Sequence, residues 1–112
     1  MPTDFSVDRR RLAGATVISA EGEVDDATVV RLRRGVYRVA PGSGPLVLDL
    51  GGVTFFGSAG VSCLVDLRHR TRSGRIDLRL VCSPVVARML ELTGLREQVV
   101  VFESVAAALA TP

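Results

Sequence analysis

The chain has 112 residues, of which 47% are hydrophobic, so it is long enough for one domain with its own core and too short for two. Its 14 basic residues are all arginines, and with 12 acidic residues they leave a formal net charge of +2. Nucleic-acid-binding domains concentrate a larger positive charge on one face, so we predict no direct binding to nucleic acid.

Neither a membrane nor a secretory route is indicated. No apolar run reaches the roughly 20 residues of a membrane span, and residues 1–4 do not open a signal peptide. Cys63 and Cys82 are too few for the disulfide framework of a secreted domain. We therefore expect a cytoplasmic protein that has no membrane contact.

The chain opens with two predicted strands. Residues 5–12 are predicted to form an exposed strand that turns at Ala13-Gly14 into a hairpin. Residues 15–20 bring β-branched side chains together and predict a second strand. The glycine and charged residues of 22–25 are predicted to break it.

A helix is predicted to follow. Asp25 or Asp26 can cap it, because a carboxylate there accepts hydrogen bonds from free amides of the first turn. Its apolar residues recur at intervals of three and four. They are Val29, Val30, Leu32, Val36 and Val39. The glycines and prolines of residues 41–45 end it.

The middle of the chain predicts a buried strand and a second helix. Residues 46–50 form a nearly continuous apolar run, which is typical of a central strand buried on both faces. A glycine-rich passage over 51–57 follows. Ser58 is then the predicted N-cap of a helix over 59–72, which Ser73-Gly74 closes. Its predicted buried stripe is Val61, Leu64, Val65 and Leu67.

Two strands and two helices complete the chain. Ser83 followed by Pro84 is a helix start signal, and Thr93-Gly94 is a stop signal. The predicted elements are a strand over 77–81, a helix over 84–92, a strand over 99–102 and a helix over 104–110.

The elements follow one another in the order β-β-α-β-α-β-α-β-α, which indicates an α/β fold. We predict a single domain over residues 1–112, with a mixed, mostly parallel sheet of about five strands and about four helices. Right-handed crossovers place the start of the second helix at the carboxyl end of the third strand. Open α/β sheets usually bind their ligands at that edge.

The sequence lacks the patterns of common enzyme sites. Its one histidine, His69, lies more than two turns beyond Ser58 on the same predicted helix, a poor geometry for a serine triad. There is no spacing typical of a transition-metal site and no Walker A loop, whose lysine the chain lacks. We predict no catalytic residue, metal or cofactor. A small hydrolase using Ser58 is kept as a contrasting hypothesis, but no base is placed to activate its hydroxyl.

Ser58 admits two interpretations. As a helix cap it would contribute roughly 1 kcal/mol by accepting from a free amide. As a phosphoacceptor it would gain about two negative charges, which the electropositive helix start tolerates and a docked partner does not. Gly57 and Gly60 either permit unusual backbone angles or lower the surface for a close approach.

The cysteines also admit two interpretations. Cys63 is predicted one turn into the second helix and Cys82 at the end of the fourth strand, towards the same sheet edge. Buried free thiols are the simpler explanation, and a regulatory disulfide between them is the alternative.

Two motifs at this edge resemble those of the STAS domains, in particular the bacterial anti-sigma factor antagonists, and the resemblance covers about the whole chain. That family's Gly-Glu-Leu-Asp turn matches residues 22–25. Its second signature is a strand ending in Asp-Leu, a Val-Thr-Phe link and Asp-Ser-Ser-Gly-Leu opening a helix, which matches residues 49–61. This stretch reads Asp-Leu-Gly-Gly-Val-Thr-Phe-Phe-Gly-Ser-Ala-Gly-Val.

The resemblance implies a cycle between protein partners. The unphosphorylated antagonist binds an anti-sigma factor, usually a GHKL-type serine kinase, and thereby releases a sigma factor. The kinase phosphorylates the first serine of the motif, here Ser58, and a phosphatase resets it. We expect a monomer or weak dimer. The implied partner-binding residues are Glu23, Asp25, Asp26, Gly57, Ser58, Ala59, Gly60 and Ser62.

Two positions depart from the family pattern. Gly57 replaces the acidic residue before the phosphoacceptor, and Ala59 replaces the second serine. They leave open a second hypothesis, a constitutive interaction or scaffold module of the same fold, which is not phosphorylated and which Cys63 and Cys82 would modulate by redox chemistry.

Overall fold

A five-stranded sheet with four α-helices forms the computed structural model, which describes residues 5–73 and 76–112. The strands are β1 (Ser6–Leu12), β2 (Ala15–Val24), β3 (Leu46–Phe56), β4 (Leu78–Cys82) and β5 (Val101–Phe102). The helices are α1 (Val29–Tyr37), α2 (Ser58–Arg72), α3 (Pro84–Thr93) and α4 (Val105–Ala110). A 3-10 helix over Leu95–Gln98, absent from the predicted elements, precedes β5.

The strands lie in the sheet in the order in which they occur in the chain. β1 pairs with β2 antiparallel, and β2, β3, β4 and β5 pair with their neighbours in parallel. A two-residue turn joins β1 to β2 through Ala13 and Gly14, which both have positive φ, as a tight hairpin turn requires. The mixed sheet, its antiparallel edge and the predicted order of elements are therefore confirmed.

Alternation along the strands divides the core between the two faces of the sheet. Ile18, Leu48 and Leu80 belong to the larger cluster, which includes the buried residues of α1, α2 and α3. Val17 and Val47 point to the other face, where Ala108 of α4 joins a smaller cluster. Three crossover helices thus cover one face and one short helix covers part of the other.

β2 and β3 are longer than predicted, because glycines that were expected to end them stay in the sheet. Gly22 remains within β2 with a φ of 104°, and Gly51 and Gly52 remain within β3. The two strands pair along their whole length, with register shifts between Ser19 and Glu21 and beyond Gly22. The predicted break at 22–25 and the separate passage over 51–57 are therefore wrong, since β-bulges absorb the irregularity. β5 is conversely two residues shorter than predicted.

The helices bury the predicted stripes with two differences. In α1, Val29 and Leu32 are buried but Val30 is 49% exposed, so its predicted core position is wrong. In α2, Val61 and Val65 are only partly buried. The buried stripe of that helix is Gly60, Cys63, Leu64 and Leu67. The closing residue predicted for α2, Gly74, lies outside the described residues.

A buried arginine fastens α4 to the sheet. The Nη1 of Arg79, on β4, donates to the carbonyl oxygens of Ala108 and Thr111, each at 2.6 Å. Its Nη2 donates to Asp77 Oδ2 at 3.0 Å, and its guanidinium lies 6.0 Å from the centroid of the Phe102 ring. The last carbonyl groups of a helix have no hydrogen-bond donors within the helix. The Arg79 guanidinium supplies donors to two such groups at the end of α4, which an apolar contact could not do.

Gly60 lies against an aromatic ring at the start of α2. A Cβ on Gly60 would lie 2.5 Å from Cε1 of Phe56, the last residue of β3. Phe56 is almost fully buried and is part of the main core, so its ring has little room to move. The absence of a side chain at position 60 lets α2 begin directly over the end of β3.

We therefore expect Gly60→Ala to lower the free energy of unfolding by about 1–3 kcal/mol, because the added methyl overpacks the Phe56 site. Urea denaturation followed by circular dichroism measures it. Gly35→Ala in α1 is the matched control, since a Cβ there meets Val7 Cγ1 at an ordinary 3.5 Å. That change should be neutral or stabilising by about 0.5–1 kcal/mol. Equal effects of the two substitutions would contradict this account.

Candidate functional site

The two sequence motifs meet at the carboxyl ends of β2 and β3. Glu23 pairs with Phe55 and Val24 pairs with Phe56 at the end of the parallel ladder. The amide of Gly57 then donates to the carbonyl oxygen of Val24 at 3.1 Å. This bond fixes the turn after β2 beside the first residue of α2. We call this surface, defined by residues 23–26 and 55–62, the switch edge.

Ser58 is exposed on the switch edge, but it does not cap its helix. Gly57 holds the N-cap position in an extended conformation, and its carbonyl accepts from the amides of Gly60 and Val61 at 3.0 and 3.2 Å. β3 continues to Phe56 and α2 begins at Ser58. Gly57 is therefore the single residue at which the chain turns from strand to helix. The predicted cap role of Ser58 is therefore wrong. Among the described residues, no side-chain cap bond forms at this helix start.

The remaining predicted residues of α2 differ in accessibility. Ser62 is exposed and lies one turn beyond Ser58 on the same helix face. Ala59 is half-buried. Gly60 is buried beneath Phe56, which gives it the packing role described above rather than an open surface.

Asp25 shapes the turn that leads to α1. Its Oδ1 accepts from the amides of Ala27 and Thr28, both at 2.9 Å, and these bonds hold the pKa of the carboxyl below its usual value. The Thr28 hydroxyl donates to the Glu23 carbonyl at 2.6 Å and accepts from the Asp25 amide. The N-cap position of α1 is Thr28, so the prediction of Asp25 or Asp26 there is wrong by two or three residues. The Asp25 carboxylate instead orders the turn before the helix.

The acidic side chains of this turn are therefore unequal. The Asp25 carboxylate is occupied within the protein, whereas Glu23 and Asp26 are exposed. A partner that approaches the switch edge meets negative charge and a hydroxyl.

Phe55 lies within the second motif but was not among the residues predicted to bind a partner. Its side chain is 47% exposed, and a Cβ on Gly57 would lie 3.0 Å from its Cε2. The ring therefore occupies the space that a side chain at position 57 would need. Strand alternation could have found it, because Phe56 is buried and its neighbour must face outwards. An exposed aromatic ring beside a flat glycine is typical of an anchor for a protein partner.

His69 lies too far from Ser58 to act as its catalytic base. His69 is exposed on the same helix, 11 positions later, which corresponds to about 16 Å along the axis. A general base must lie within hydrogen-bond reach of its nucleophile. In residues 5–73 and 76–112 there is no group of three or more potential metal ligands. Within the same ranges, no helix is both long and apolar enough to cross a bilayer.

Both cysteines are free thiols. Cys63 is buried in the main core and Cys82 is half-buried. Desolvation raises the pKa of each thiol to about 11. The thiolate is the reactive form, so both thiols are poor nucleophiles near neutral pH.

We predict that Ser58→Ala changes the free energy of unfolding by less than about 0.5 kcal/mol, because no cap bond is lost. Ser104→Ala is the matched control, since the Ser104 hydroxyl oxygen accepts from the Ala107 amide at 3.0 Å and caps α4. Loss of that cap should cost about 1 kcal/mol. Chemical denaturation of both variants measures the difference, and an equal loss at Ser58 would show that its hydroxyl does cap α2.

A second prediction concerns the thiols. At pH 8 the folded protein should react with iodoacetamide at least about 100-fold more slowly than the urea-unfolded chain, because the thiol pKa is about 11 in one and 9.0 in the other. The folded rate should rise with pH up to about 11. Mass spectrometry of quenched samples follows both cysteines. Similar rates in the two states, or a disulfide in the native protein, would contradict it.

Comparisons with known proteins identify the family and several relatives of this chain. The family model of the STAS domain matches residues 6–108. The Osmosensory protein A of Mycobacterium tuberculosis is 38% identical over 76 residues, which are 68% of this chain and 48% of that protein. A proposed anti-anti-sigma factor of the same organism is 37% identical over 99 residues, 85% of this chain and 67% of that protein. The chain thus spans about half to two thirds of the length of these relatives.

The fold also matches a solved structure over nearly its full length. The crystal structure of an anti-sigma factor antagonist from Mycobacterium paratuberculosis superposes with a TM-score of 0.83 at 28% identity. The match covers 95% of this chain and 92% of the other.

Proposed function

Because the chain belongs to the STAS domain family, we propose that it acts as an anti-sigma factor antagonist, which binds an anti-sigma factor through the switch edge and so releases a sigma factor. Support comes from the relative named as an anti-anti-sigma factor and from the fold of the mycobacterial antagonist. The protein works by binding and has no enzymatic step of its own. Its site of action is the cytoplasm.

One hydrogen bond carries the proposal. The Gly57 amide and Val24 carbonyl, 3.1 Å apart, join two chain segments that are about 30 residues apart into one continuous surface. On that surface Glu23 and Asp26 supply negative charge, Phe55 supplies apolar area and Ser58 supplies an accessible hydroxyl. A partner with a basic rim around an apolar pocket complements this combination.

Phosphorylation of Ser58 is the proposed switch. Its hydroxyl is exposed and is not used as a helix cap, so a kinase can reach it without breaking an internal bond. A phosphate would gain from the free amides and positive dipole end of the 15-residue α2, so the fold would tolerate it. It would also add about two negative charges to a surface that is already acidic, and a bound partner would lose contact. The proposed kinase is the anti-sigma factor itself, of the GHKL type, and a phosphatase resets the serine.

Gly57 is compatible with this switch. The Cβ of a side chain at position 57 would lie 3.0 Å from Phe55 Cε2 and would crowd the ring, so glycine at this position leaves the Phe55 ring in place on the surface. The partner contact at this point then depends on apolar area rather than on charge.

A constitutive interaction module is the second candidate. The observation in its favour is the pair Gly57 and Ala59, which removes the acidic neighbour and the second hydroxyl of the family motif. In this form the protein binds its partner with no covalent control. The two candidates differ in one measurable quantity, the phosphate content of Ser58.

The test uses each kinase-type anti-sigma factor encoded in the genome that encodes this chain. Each one is purified and incubated with the chain, ATP and Mg²⁺. We expect one phosphate per chain by intact mass, none in Ser58→Ala, and wild-type incorporation in Ser62→Ala, the control serine one turn away. Ser58→Ala should bind the unmodified partner as the wild type does. Ser58→Glu should bind at least about tenfold more weakly, because like charge at an interface is costly.

Each outcome separates the candidates. Binding without any phosphate on the wild type favours the constitutive module. Equal phosphate on Ser58→Ala and wild type places the modification elsewhere and contradicts the assignment of Ser58. Failure of every anti-sigma factor to bind contradicts the antagonist role.

A further inference from the structure

A basic pocket lies between the outer hairpin and α1. It has a volume of about 290 Å³. Its residues come from β1, from β2 and from one side of α1, and four of them are arginines. The arginines are Arg9, Arg31, Arg34 and Arg38. In a domain whose net charge is only +2, this is a local concentration of positive charge.

The other residues of the pocket are uncharged. Val7, Ile18 and Gly35 line it together with the arginines, and no carboxylate is among the lining residues in the described part of the chain. Asp8, the described acidic residue of β1, pairs with Arg10 at 3.5 Å. Alternation along the strand places both on the face opposite to Val7 and Arg9.

One arginine is held in position before any ligand arrives. Arg31 Nη1 donates to the carbonyl oxygen of Phe5 at 3.0 Å, and its guanidinium lies 5.3 Å from the centroid of the Phe5 ring. A side chain fixed in this way loses less conformational freedom on binding an anion. Arg34 and Arg38 follow at spacings of three and four, on the same side of α1. Like charges at these spacings repel one another, and an anion between them would relieve the repulsion.

Gly35 keeps the pocket open. It lies inside α1 with ordinary helical geometry, where glycine is less favourable than alanine. A Cβ at this position would meet only ordinary contacts with Val7 and Ile18, so the backbone does not require glycine. A longer side chain here would extend into the space between the arginines.

We propose that this pocket binds a small molecule carrying two or more linked phosphate groups. Guanidinium groups pair with phosphate oxygens through two parallel hydrogen bonds, and four of them exceed the need of a single phosphate. Among residues 5–73 and 76–112, no aromatic side chain lines the pocket, so these residues offer no stacking surface for a nucleobase. Its limited volume also favours a compact ligand over an extended nucleic-acid strand.

The test is titration calorimetry of the intact chain with inorganic pyrophosphate and with tripolyphosphate. We expect saturable binding at one site that weakens as salt is added. Arg34→Gln/Arg38→Gln should weaken it at least about tenfold, because two charge-assisted contacts are lost. Arg72→Gln/Arg88→Gln removes the same charge from exposed positions on α2 and α3, and should change the affinity by no more than about twofold.

Gly35→Met tests the location without changing the charge. It keeps all four arginines and fills the pocket, so affinity should again fall at least about tenfold, and circular dichroism checks that the fold is kept. Absence of binding to the wild type, equal losses in the two arginine double variants, or wild-type affinity of Gly35→Met would each overturn the proposal. Tighter binding of single-stranded RNA than of tripolyphosphate would assign the surface to nucleic acid instead. The titration needs no anti-sigma factor, so its result is independent of the proposed function.

Discussion

The parallel pairing of β2 with β3 is the constraint on which the rest of the structure depends. The two strands run side by side to their last residues, and only because they do so does the Gly57 amide reach the Val24 carbonyl. A one-residue change of register would turn every side chain to the opposite face of the sheet. The bulges within β3 therefore matter: at each register shift β3 carries one residue more than β2, and this glycine-rich strand still continues until its final residues meet their partners. The position of Ser58 follows from this pairing, since α2 begins where the ladder ends.

Helix ends that depend only on neighbouring residues were predictable from the sequence. Ser83 and Pro84 start α3 as expected, and Gly94 ends it in the left-handed conformation. The conformation of residues that pair with a distant strand was harder to predict. Gly22, Gly51 and Gly52 resemble strand breakers when taken alone, but pairing between β2 and β3 overrides that tendency. Ser58 illustrates the same limit, because its place in the helix depends on how far β3 extends rather than on its own capping preference.

The small net charge conceals a separation of charge around α1. The turn before α1 is acidic, because it carries Glu23 and Asp26. Arg31, Arg34 and Arg38 follow along one side of the helix. The sequence motifs lie in the first of these regions alone. In the sequence the second is two separate groups of arginines, one at 9–11 and one at 31–34, because it takes the packing of the hairpin against α1 to bring Arg9 beside the others. Composition describes the sum of the charges and leaves out their arrangement.

The two outer strands of the sheet also differ in how they limit association between copies. An edge strand offers unpaired backbone groups to which another chain can add. β5 has only two residues, Val101–Phe102, and is too short to template a neighbour. β1 has seven residues, but three successive arginines, 9–11, stand in its middle and end. A second copy that adds its own β1 antiparallel to this edge brings the two arginine runs near one another. The short length of β5 and the charge repulsion at β1 therefore limit the addition of further strands, and with it aggregation.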